Sequence, residues 1–499
     1  MKYNFHTGDF FDELLKINNI DKEALDISRY DNAIKDEDSI LSFKDKLLDL
    51  KDDTFLIVGD YDCDGICATA ILKRLLDYLN IKHKFYIPSR IKEGYGLNKQ
   101  IVQNAINNNI NVIITVDNGI KATEALKYAY DNNIKVLIID HHNYEKEPLC
   151  FGYIHPLLLK EGFNNLSAGG LSYLLSTYIY DDKLSLCYAG LTTLSDMVGV
   201  LDYNRYLIKK MYETLCDNDI YQINLLNDNK TPTYDDLSFN VIPKINSISR
   251  MGYNANTLVK YLCGDKETCL HYLDSINKIN EERKNETNLE SYDAYSLVNE
   301  DDDLIIVASS SFKEGLCGLL ANKLAFKYKK ACIVFSINDD LYKGSGRSLE
   351  DVDLFNYLSK EKELYETFGG HNQACGIVIK KDNFNEFKKR ILNNKLETKE
   401  VIKDVISLNQ DEVNYDLLTL INSLKPFGID FKEPLVCIKD FKYQRKFIIK
   451  EMYPKYIVDN TLSAISFKDI DDDFNCLICK IQNDNYHKKA VSLLIEDTL

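Results

Sequence analysis

Long apolar runs, a signal-peptide core and a surplus of basic residues are all missing from this sequence. No apolar run reaches the roughly 18 residues that a membrane-spanning helix needs, and residues 1–6 contain no apolar signal core. These absences predict a cytoplasmic protein that makes no membrane contact. The net charge of −16 does not point to a nucleic-acid partner, so an enzyme acting on nucleic acid would have to gather its basic groups locally.

Internal repeats and low-complexity linkers are also missing, so the 499 residues are expected to form ordinary globular domains. Apolar residues make up 45% of the chain and charged residues 28%, which is typical of such domains. A chain of this length is too long for one hydrophobic core. We therefore expect two to four domains.

From Phe55 onward the pattern alternates between strand and helix. Strands are predicted at Phe55–Val58, Lys84–Ile87, Val112–Val116 and Val136–Ile139, and helices at Ile66–Leu79 and Lys121–Asn132. Strands that alternate with helices form a parallel, doubly wound sheet, so the predicted fold class is α/β. In such sheets, functional residues gather at the carboxyl ends of the strands.

Acidic side chains follow three of these strands. They are Asp60, Asp62 and Asp64 after the first strand, Asp117 after the third, and Asp140, His141 and His142 after the fourth. If the first segment stays extended, its three carboxylates share one side, whereas a turn before the helix would swing only Asp62 and Asp64 inward together. Asp196, in a largely apolar helical stretch, is a further candidate.

Like charges this close repel each other unless a cation lies among them. Carboxylates with one or two imidazoles suit Mn²⁺ or Mg²⁺ better than zinc, and the histidine favours Mn²⁺. A single aspartate at a strand end is more often a helix cap than a ligand. The three strand ends together nevertheless predict a site for two divalent cations, which would activate water and hold a phosphoryl group during in-line displacement.

The rest of the chain divides into further segments. Residues 1–50 are predicted to be polar helices, and Leu258–His271 to be one helix. The charged run Lys278–Val298 is predicted to be a solvated helix that connects two domains. A second α/β unit begins at Leu304, and several short strands after about residue 400 predict a small β-barrel.

Three residues outside the acidic cluster are candidates for holding a phosphate. Arg90 comes shortly before Gly94-Tyr95-Gly96, where glycine lets the backbone approach a ligand closely. Ser345 and Arg347 flank Gly346, and a hydroxyl, free backbone N–H groups and a guanidinium would make a phosphate cradle. A flexible loop at Arg90 and a tight turn with a solvated Arg347 are the plainer alternatives.

These motifs, in this order, resemble the DHH phosphoesterase superfamily and are most similar to RecJ-type single-stranded-DNA-specific exonucleases. The resemblance lies in Gly59–Gly65, Val116–Gly119, Asp140–His142 and Ser195-Asp196, and it extends through Ser89–Leu97, Leu166–Gly170, Pro243–Ser247, Ser249–Gly252, Glu314–Leu316, Ser345–Ser348, Gly369–His371 and Pro426–Gly428.

The resemblance implies roles for individual residues. The implied metal ligands are Asp60, Asp62, Asp64, Asp117, His141 and Asp196, with Asp117 shared by both ions. Asp60 and Asp140 are implied either to bind the ions or to orient the ligands. The implied catalytic residues are Asp117, Asp140 and His142, the last contacting the scissile phosphate. The implied substrate contacts are Arg90, Tyr95, Arg250, Ser345, Arg347 and His371, of which Arg90, Ser345 and Arg347 would form a 5′-phosphate pocket. Tyr95 would stack on a base or serve in packing.

The resemblance also implies an architecture and a reaction. The expected segments are a helical lead-in (1–54), a doubly wound parallel-sheet DHH domain (55–275), a connecting helix (276–300), a second α/β, DHH-associated domain (301–395) and an OB-like β-barrel (396–499). The expected activity is metal-dependent 5′→3′ hydrolysis of single-stranded DNA to 5′-mononucleotides in DNA repair and recombination. A monomer is expected, acting at a 5′ end, with a helicase or single-strand-binding protein as a partner.

Two other functions stay open. A DHH phosphodiesterase acting on oligoribonucleotides or cyclic dinucleotides would be shorter and would lack the Arg250 and Pro426–Gly428 stretches. A non-catalytic DNA-binding replication or repair protein would have no need to hold this many carboxylates together. The sequence also departs from the family pattern at Ser247–Ser249, where alanine and glycine are usual, and at Phe312–Gly315, which lacks a tryptophan.

Overall fold

The chain folds into two compact units. The computed structural model describes residues 2–31, 37–228, 230–449, 452–468, 470, 474–484, 487 and 489–499. Unit 1 consists of residues 1–33, 197–206 and 400–499, and unit 2 consists of residues 34–196 and 207–399. All the candidate metal, catalytic and substrate-binding residues lie in unit 2.

The strands among the described residues are numbered in chain order. They are β1 (Lys2–His6), β2 (Phe55–Val58), β3 (His83–Tyr86), β4 (Val112–Val116), β5 (Lys135–Ile139), β6 (Gly152–Ile154), β7 (Leu304–Ser309), β8 (Ala331–Asn338), β9 (Leu341–Arg347), β10 (Tyr365–His371), β11 (Ala374–Lys380), β12 (Ile402–Leu408), β13 (Val436–Lys439), β14 (Arg445–Ile449), β15 (Tyr453–Ile457), β16 (Leu462–Ser466), β17 (Cys476–Asn483) and β18 (Val491–Thr498).

The α-helices of the same residues are numbered likewise. They are α1 (Phe10–Asn18), α2 (Asp38–Asp49), α3 (Cys63–Tyr78), α4 (Lys99–Asn107), α5 (Thr123–Asp131), α6 (Ala168–Thr177), α7 (Lys183–Ser195), α8 (Asp202–Asp217), α9 (Tyr221–Asn224), α10 (Tyr234–Asp236), α11 (Ile242–Arg250), α12 (Asn256–Cys263), α13 (Lys266–Ser296), α14 (Cys317–Tyr328), α15 (Leu354–Ser359), α16 (Lys381–Asn393) and α17 (Tyr415–Leu424). None of the helices described here is both long and apolar enough to cross a membrane.

The first sheet of unit 2 has the strand order β3-β2-β4-β5-β6, and every neighbouring pair is parallel. Strands β2 and β4 are buried along their whole length, which is why both read as continuous apolar runs. The chain runs from β2 outward to β3 and then returns to β4 on the other side of β2. The doubly wound parallel sheet predicted from the sequence is confirmed, and its strand order reverses at β2 and β4, where such folds bind ligands.

A long helix, α13, follows this domain, as the sequence predicts, but it begins at Lys266 rather than at residue 278. The prediction of one helix over Leu258–His271 is wrong. The chain breaks at Gly264, which is extended, and Asp265 then caps α13 by accepting a hydrogen bond from the Thr268 N–H over 2.8 Å. An aspartate cap of this kind starts a new helix where the apolar spacing alone suggests continuation.

The second sheet of unit 2 has the order β10-β11-β9-β8-β7. Strands β7 and β8 are parallel, and the other pairs are antiparallel. One face packs on an apolar core that includes Ile333, Phe335, Ile377 and Phe387. Strand β9 therefore lies inside the sheet, between β8 and β11.

Unit 1 contains an eight-stranded sheet with the order β1-β12-β13-β17-β18-β16-β15-β14. Its first strand corrects the prediction that residues 1–50 are all helical. Residues Lys2–His6 pair in parallel with Ile402–Ile406 of β12, whereas α1 and α2 are helices as predicted. No local pattern marks the strand, because the pairing that stabilises it comes from a segment about 400 residues away.

Candidate metal and phosphate site

The loop after β2 distributes its three aspartates over two groups of donors. Helix α3 begins at Cys63, three residues earlier than the sequence indicates, and Asp62 caps it by accepting the Gly65 N–H over 3.1 Å. The Cys63 N–H is itself held by Oδ1 of Asn246 at 2.9 Å. The segment is therefore neither extended nor turned so that only Asp62 and Asp64 point inward, and both alternatives drawn from the sequence are wrong.

Three sets of donor atoms lie at this edge of the sheet, and the atoms of each set all lie within 4.8 Å of one another. They are Asp60, Asp62 and Asp117; Asp64, His141 and Asp196; and Asp117, His141 and His142. Asp117 and His141 each belong to two sets, and the His141 Nε2 atom lies 3.2 Å from Oδ1 of Asp117. The structure thus brings together all six predicted metal ligands, from four separate stretches of the chain.

Several buried acceptors in these sets have no hydrogen-bond partner among the described residues. They are Oδ1 of Asp60, Oδ1 of Asp117 and Nε2 of His141. Burial raises the pKa values of Asp60 and Asp117 well above their ordinary range, and neighbouring carboxylates raise them further. Burial lowers the pKa of His141 to about 4, so its imidazole is neutral and able to bind a metal at physiological pH.

These observations fit a divalent cation centre. Carboxylates and a neutral imidazole suit Mn²⁺ or Mg²⁺, and a cation would both satisfy the unpartnered atoms and offset the repulsion between the acids. Asp64 is oriented for this role, because its two oxygens accept the N–H groups of Ala168 and Gly169, each at 2.8 Å. Burial raises the pKa of Asp64 to about 7, with the Asp62 carboxylate as the next cause.

Asp140 belongs to none of the donor sets found in the described residues. Its Oδ1 accepts the N–H of His141 at 2.8 Å and the Nδ1–H of His142 at 2.8 Å, and its Oδ2 accepts the Ile120 N–H at 3.0 Å. Burial opposes ionisation, but the bond from His142 holds the pKa of Asp140 below its ordinary value. Despite its own burial, His142 has a raised pKa because of the same bond. Asp140 is thus placed to orient His142.

Tyr95 also contacts residues of the acidic centre. Its hydroxyl donates to the main-chain carbonyl of Asp117 over 2.6 Å and lies 3.2 Å from Nδ1 of His142. Its ring packs edge-on against Tyr61 and His142, with centroid separations of 6.3 and 5.6 Å. These contacts favour the packing role over the base-stacking role.

Three arginines gather beside the centre. The Arg90 guanidinium lies 4.9 Å from the centroid of the Tyr61 ring, and Arg347 donates to the Ser345 hydroxyl over 2.9 Å. Burial lowers the pKa of Arg250 to about 9, and the charges of Arg90 and Arg347 lower it further. None of the three forms a salt bridge within the described part of the chain. Unpaired guanidinium groups this close together favour an anionic ligand.

The phosphate cradle predicted at Ser345–Arg347 is wrong in one respect. Residues 345–347 lie in β9, whose neighbours on both sides are strands, so their backbone N–H groups serve the sheet and are not free. The two side chains remain available, because alternate residues of a strand project from the same face. The side chains of Ser345 and Arg347 lie over the first turn of α14, since a Cβ at Gly318 would lie 3.2 and 3.0 Å from them.

The same face of the sheet has a floor without side chains, at which the sequence singled out Gly369 but not Gly376. Gly369 of β10, Gly376 of β11 and Ser345 of β9 lie side by side in register. A Cβ at Gly369 or Gly376 would meet no atom within 4 Å. His371, further along β10, is close enough that its charge would act on His141. An isolated glycine within the strand pattern was the available signal for Gly376.

Three family models match consecutive parts of the chain. They are the DHH family, N-terminal domain, over residues 54–194, the DHHA1 domain over residues 301–395 and the RecJ OB domain over residues 406–497. The first covers the carboxylate and histidine centre, and the second covers β9 to β11. The fold and the site are therefore both of the DHH type.

Individual relatives narrow the class. The single-stranded-DNA-specific exonuclease RecJ of Bacillus subtilis (strain 168) is 26% identical over 436 residues, which cover 82% of this chain and 55% of that protein. The enzyme of the same name from Escherichia coli K12 is 25% identical over 450 residues, covering 81% and 78%. A crystal structure of RecJ in complex with Mn²⁺ from Thermus thermophilus has a TM-score of 0.81 at 18% identity, covering 99% of this chain and 79% of that one.

The chain is therefore similar to RecJ proteins in sequence, in the order of its domain matches and in fold. It spans about half the length of the Bacillus subtilis relative.

Proposed function

We propose that this protein is a metal-dependent exonuclease that removes 5′-mononucleotides from single-stranded DNA in the 5′→3′ direction. The observation that carries the proposal is a cluster of three arginines without an ion-pair partner among the described residues. Arg90 and Arg250 lie within electrostatic range of the acidic centre, and Arg347 lies within range of both arginines. The field of Arg90 reaches Asp60, and the charge of Asp62 reaches Arg250. A carboxylate and histidine centre alone would serve many phosphoesterases, whereas the arginines add a fixed holding point for a terminal phosphate.

The donor sets indicate which residues would hold Mn²⁺ or Mg²⁺. One ion would be held by Asp60, Asp62 and Asp117, and the other by Asp64, His141 and Asp196, with Asp117 also within reach of the second. When bound, the two ions would lower the pKa of a water molecule and neutralise the phosphoryl oxygens. Because Asp117 is assigned to both ions, its loss should impair metal binding more than the loss of any other ligand.

His142 and Asp140 act on the substrate side of this centre. Asp140 accepts the Nδ1–H of His142 and raises the pKa of the imidazole, which favours the protonated ring. The other ring N–H is then free to donate to an oxygen of the scissile phosphate, where negative charge grows in the transition state. Asp140 contributes by fixing the ring and its protonation.

The arginines determine the polarity of digestion. A 5′-phosphate bound by Arg90, Ser345 and Arg347 would place the first internucleotide linkage at the acidic centre, with Arg250 between the two. The floor at Gly369 and Gly376 lies on the same sheet face as Ser345 and Arg347 and leaves room for the first nucleotide, and His371 would contact it. A single strand fits a surface bounded in this way. Equal rates of digestion of single- and double-stranded substrates would refute this selectivity.

The same proposal covers the wider setting. It places the protein in the cytoplasm, as a monomer that acts in DNA repair and recombination, with a helicase or single-strand-binding protein as partner. The proposed boundaries of the five segments are those given above, 1–54, 55–275, 276–300, 301–395 and 396–499. The family of the chain supports this setting, and the placement of the carboxylates argues against a purely structural role.

The test is digestion of a single strand labelled at either end, with Mn²⁺, Mg²⁺ or a chelator. We expect metal-dependent release of 5′-mononucleotides from the 5′ end, no hydrolysis by Asp117→Ala, and a reduced preference for 5′-phosphate over 5′-hydroxyl ends in Arg347→Ala. Circular dichroism of both variants checks that they fold. A preference for dinucleotides over long strands would replace the proposal with the phosphodiesterase alternative, and metal-bound protein without hydrolysis would favour the DNA-binding alternative.

A further inference from the structure

A cavity of about 480 Å³ opens beside the loops that follow β4 and β5. Its polar lining comes from Lys121, Thr123, Asn143, Glu145 and Lys146, and the ring of Tyr144 adds an aromatic surface. Neither lysine forms an ion pair with any described residue. The two ammonium groups outnumber the one carboxylate of the lining, so the cavity suits an anionic ligand.

Contacts tie the cavity wall to the centre through His155. The ring of Tyr144 packs edge-on against His155 at a centroid separation of 5.0 Å. The Leu157 N–H donates to Nδ1 of His155 over 3.2 Å, so Nε2 carries the proton and donates to the main-chain carbonyl of His142 over 3.2 Å. From another side, the charge of Lys121 acts on the His142 imidazole. The cavity wall is thus linked, through His155, to the main chain of the residue proposed to contact the scissile phosphate.

The order of the β-strands sets the direction in which bound single-stranded DNA would run. Along the carboxyl edge of the sheet, Arg90 follows β3, the first acidic loop follows β2, Asp117 follows β4, and His142 follows β5. Neighbouring strands lie about 4.8 Å apart, so β3 and β5 are separated by about 14 Å. The cavity is lined by residues that follow β4 and β5, whereas Arg90 follows β3, so the cavity and Arg90 lie towards opposite ends of the stretch of edge that carries the acidic loops.

We propose that this cavity binds the DNA backbone on the 3′ side of the cleaved linkage, with Lys121 and Lys146 contacting the next phosphate. The inference rests on the function proposed above, in which Arg90 holds the 5′-phosphate at the other end of the same edge. Asn143 and Tyr144 would contact the sugar and base of the retained strand. Because this part of the DNA stays after the first nucleotide leaves, the cavity would hold the substrate between successive cleavages.

The substrates that test this differ by one phosphate. A 5′-phosphorylated thymidine dinucleotide has only the linkage that is cut, whereas the trinucleotide adds the linkage that would reach the cavity. We compare KM and kcat on both, with Mn²⁺, for the wild type, Lys121→Gln, Lys146→Gln and the double variant. Lys127→Gln is the matched control, because Lys127 lies on α5 and pairs with Asp131 outside the cavity.

In the double variant, we expect KM for the trinucleotide to rise about tenfold more than KM for the dinucleotide, because only the trinucleotide has the second phosphate that the two ammonium groups would contact. The salt dependence of binding to a 20-nucleotide strand should also become less steep, by roughly one phosphate contact. The control variant should match the wild type on all three substrates.

Two results would overturn the assignment. An equal rise in KM for both lengths would mean that the lysines act through His142 and not through the next phosphate, and unaltered values for both would mean that they do not contact DNA. Failure of the wild type to hydrolyse either substrate would instead remove the proposed exonuclease function, and the inference with it. The comparison therefore separates an error about the cavity from an error about the reaction.

Discussion

The hydroxyl of Tyr95 donates a hydrogen bond to the main-chain carbonyl of Asp117 over 2.6 Å. Asp117 has a left-handed backbone conformation with φ of 61°, which costs a residue other than glycine about 1–2 kcal/mol. The bond helps to hold a conformation that an aspartate seldom adopts, and that conformation places the Asp117 carboxylate in two donor sets. Tyr95 therefore positions the shared residue of the metal centre.

Loss of this hydroxyl should slow the reaction. In Tyr95→Phe, we expect kcat on a 5′-phosphorylated single strand to fall about tenfold, a loss of roughly 1.4 kcal/mol, with KM little altered because the ring remains. Tyr128→Phe, which removes a hydroxyl bonded to Gln103, is the control. An unaltered kcat in Tyr95→Phe would show that Asp117 holds its conformation without this bond.

The ring of Tyr61 should matter to the choice of DNA end. Its face lies 4.9 Å from the Arg90 guanidinium, an interaction worth about 0.5–2 kcal/mol that holds Arg90 in place. Tyr61→Leu should reduce the ratio of kcat/KM for 5′-phosphate over 5′-hydroxyl ends several-fold, up to about tenfold, whereas Tyr61→Phe should keep it. Equal ratios in the two variants would exclude a role for the aromatic face.

Two glycines of the second sheet should respond to a methyl group in opposite ways. A Cβ at Gly376 points into open space beside Ser345, whereas one at Gly344 would lie 2.3 Å from the Phe335 ring. Gly376→Ala should leave thermal stability equal or slightly higher, by about 0.5 kcal/mol, but raise KM for DNA. Gly344→Ala should lower Tm instead. Normal KM in Gly376→Ala would show that substrate does not touch this floor.

Glu290 should make stability depend on pH. Its carboxylate is buried on α13 and accepts the Lys313 N–H, and burial raises its pKa from 4.5 to about 7. Between these values the folded protein holds a proton that the unfolded chain releases. The stability contributed by this group is therefore present at low pH and is lost as pH rises from about 4.5 to about 7.

The measurement is thermal unfolding in chelator at pH 5 and pH 8. Relative to Glu290→Gln, which does not titrate, the wild-type Tm should fall by about 2–4 °C between the two pH values. Glu286→Gln, which removes a surface partner of the Lys313 ammonium, is the control. Parallel Tm curves for wild type and Glu290→Gln would contradict the prediction.

Local apolar pattern was sufficient to predict the sheet on which the site is built. Strands β2 and β4 have the predicted bounds, and β5 begins one residue earlier than predicted, because buried parallel strands appear as largely apolar runs. The acidic residues that follow these strands lie close together because parallel strands end at the same edge of the sheet. Features that depend on distant residues were not predictable in this way.

The division of Asp60, Asp62 and Asp64 between two donor sets is one such feature. It depends on α3 starting at Cys63, and the Cys63 N–H is held by Asn246, 183 residues along the chain. The backbone N–H groups around Ser345 were expected to be free, because Gly-Ser-Gly is turn-like locally, but the pairing of β9 on both sides outweighs that preference. In each case a tertiary contact decided the outcome.

The pairing of β1 with β12 bears on how the chain is made. At about 5–20 residues per second, a ribosome needs roughly 20–80 seconds after finishing Lys2–His6 to reach Ile402. Throughout that time β1 has no partner strand, whereas the five strands between residues 55 and 154 are completed in the first part of it. A nascent chain can therefore assemble the parallel sheet that carries the acidic centre early, yet the edge of β1 stays open to mispairing until β12 emerges.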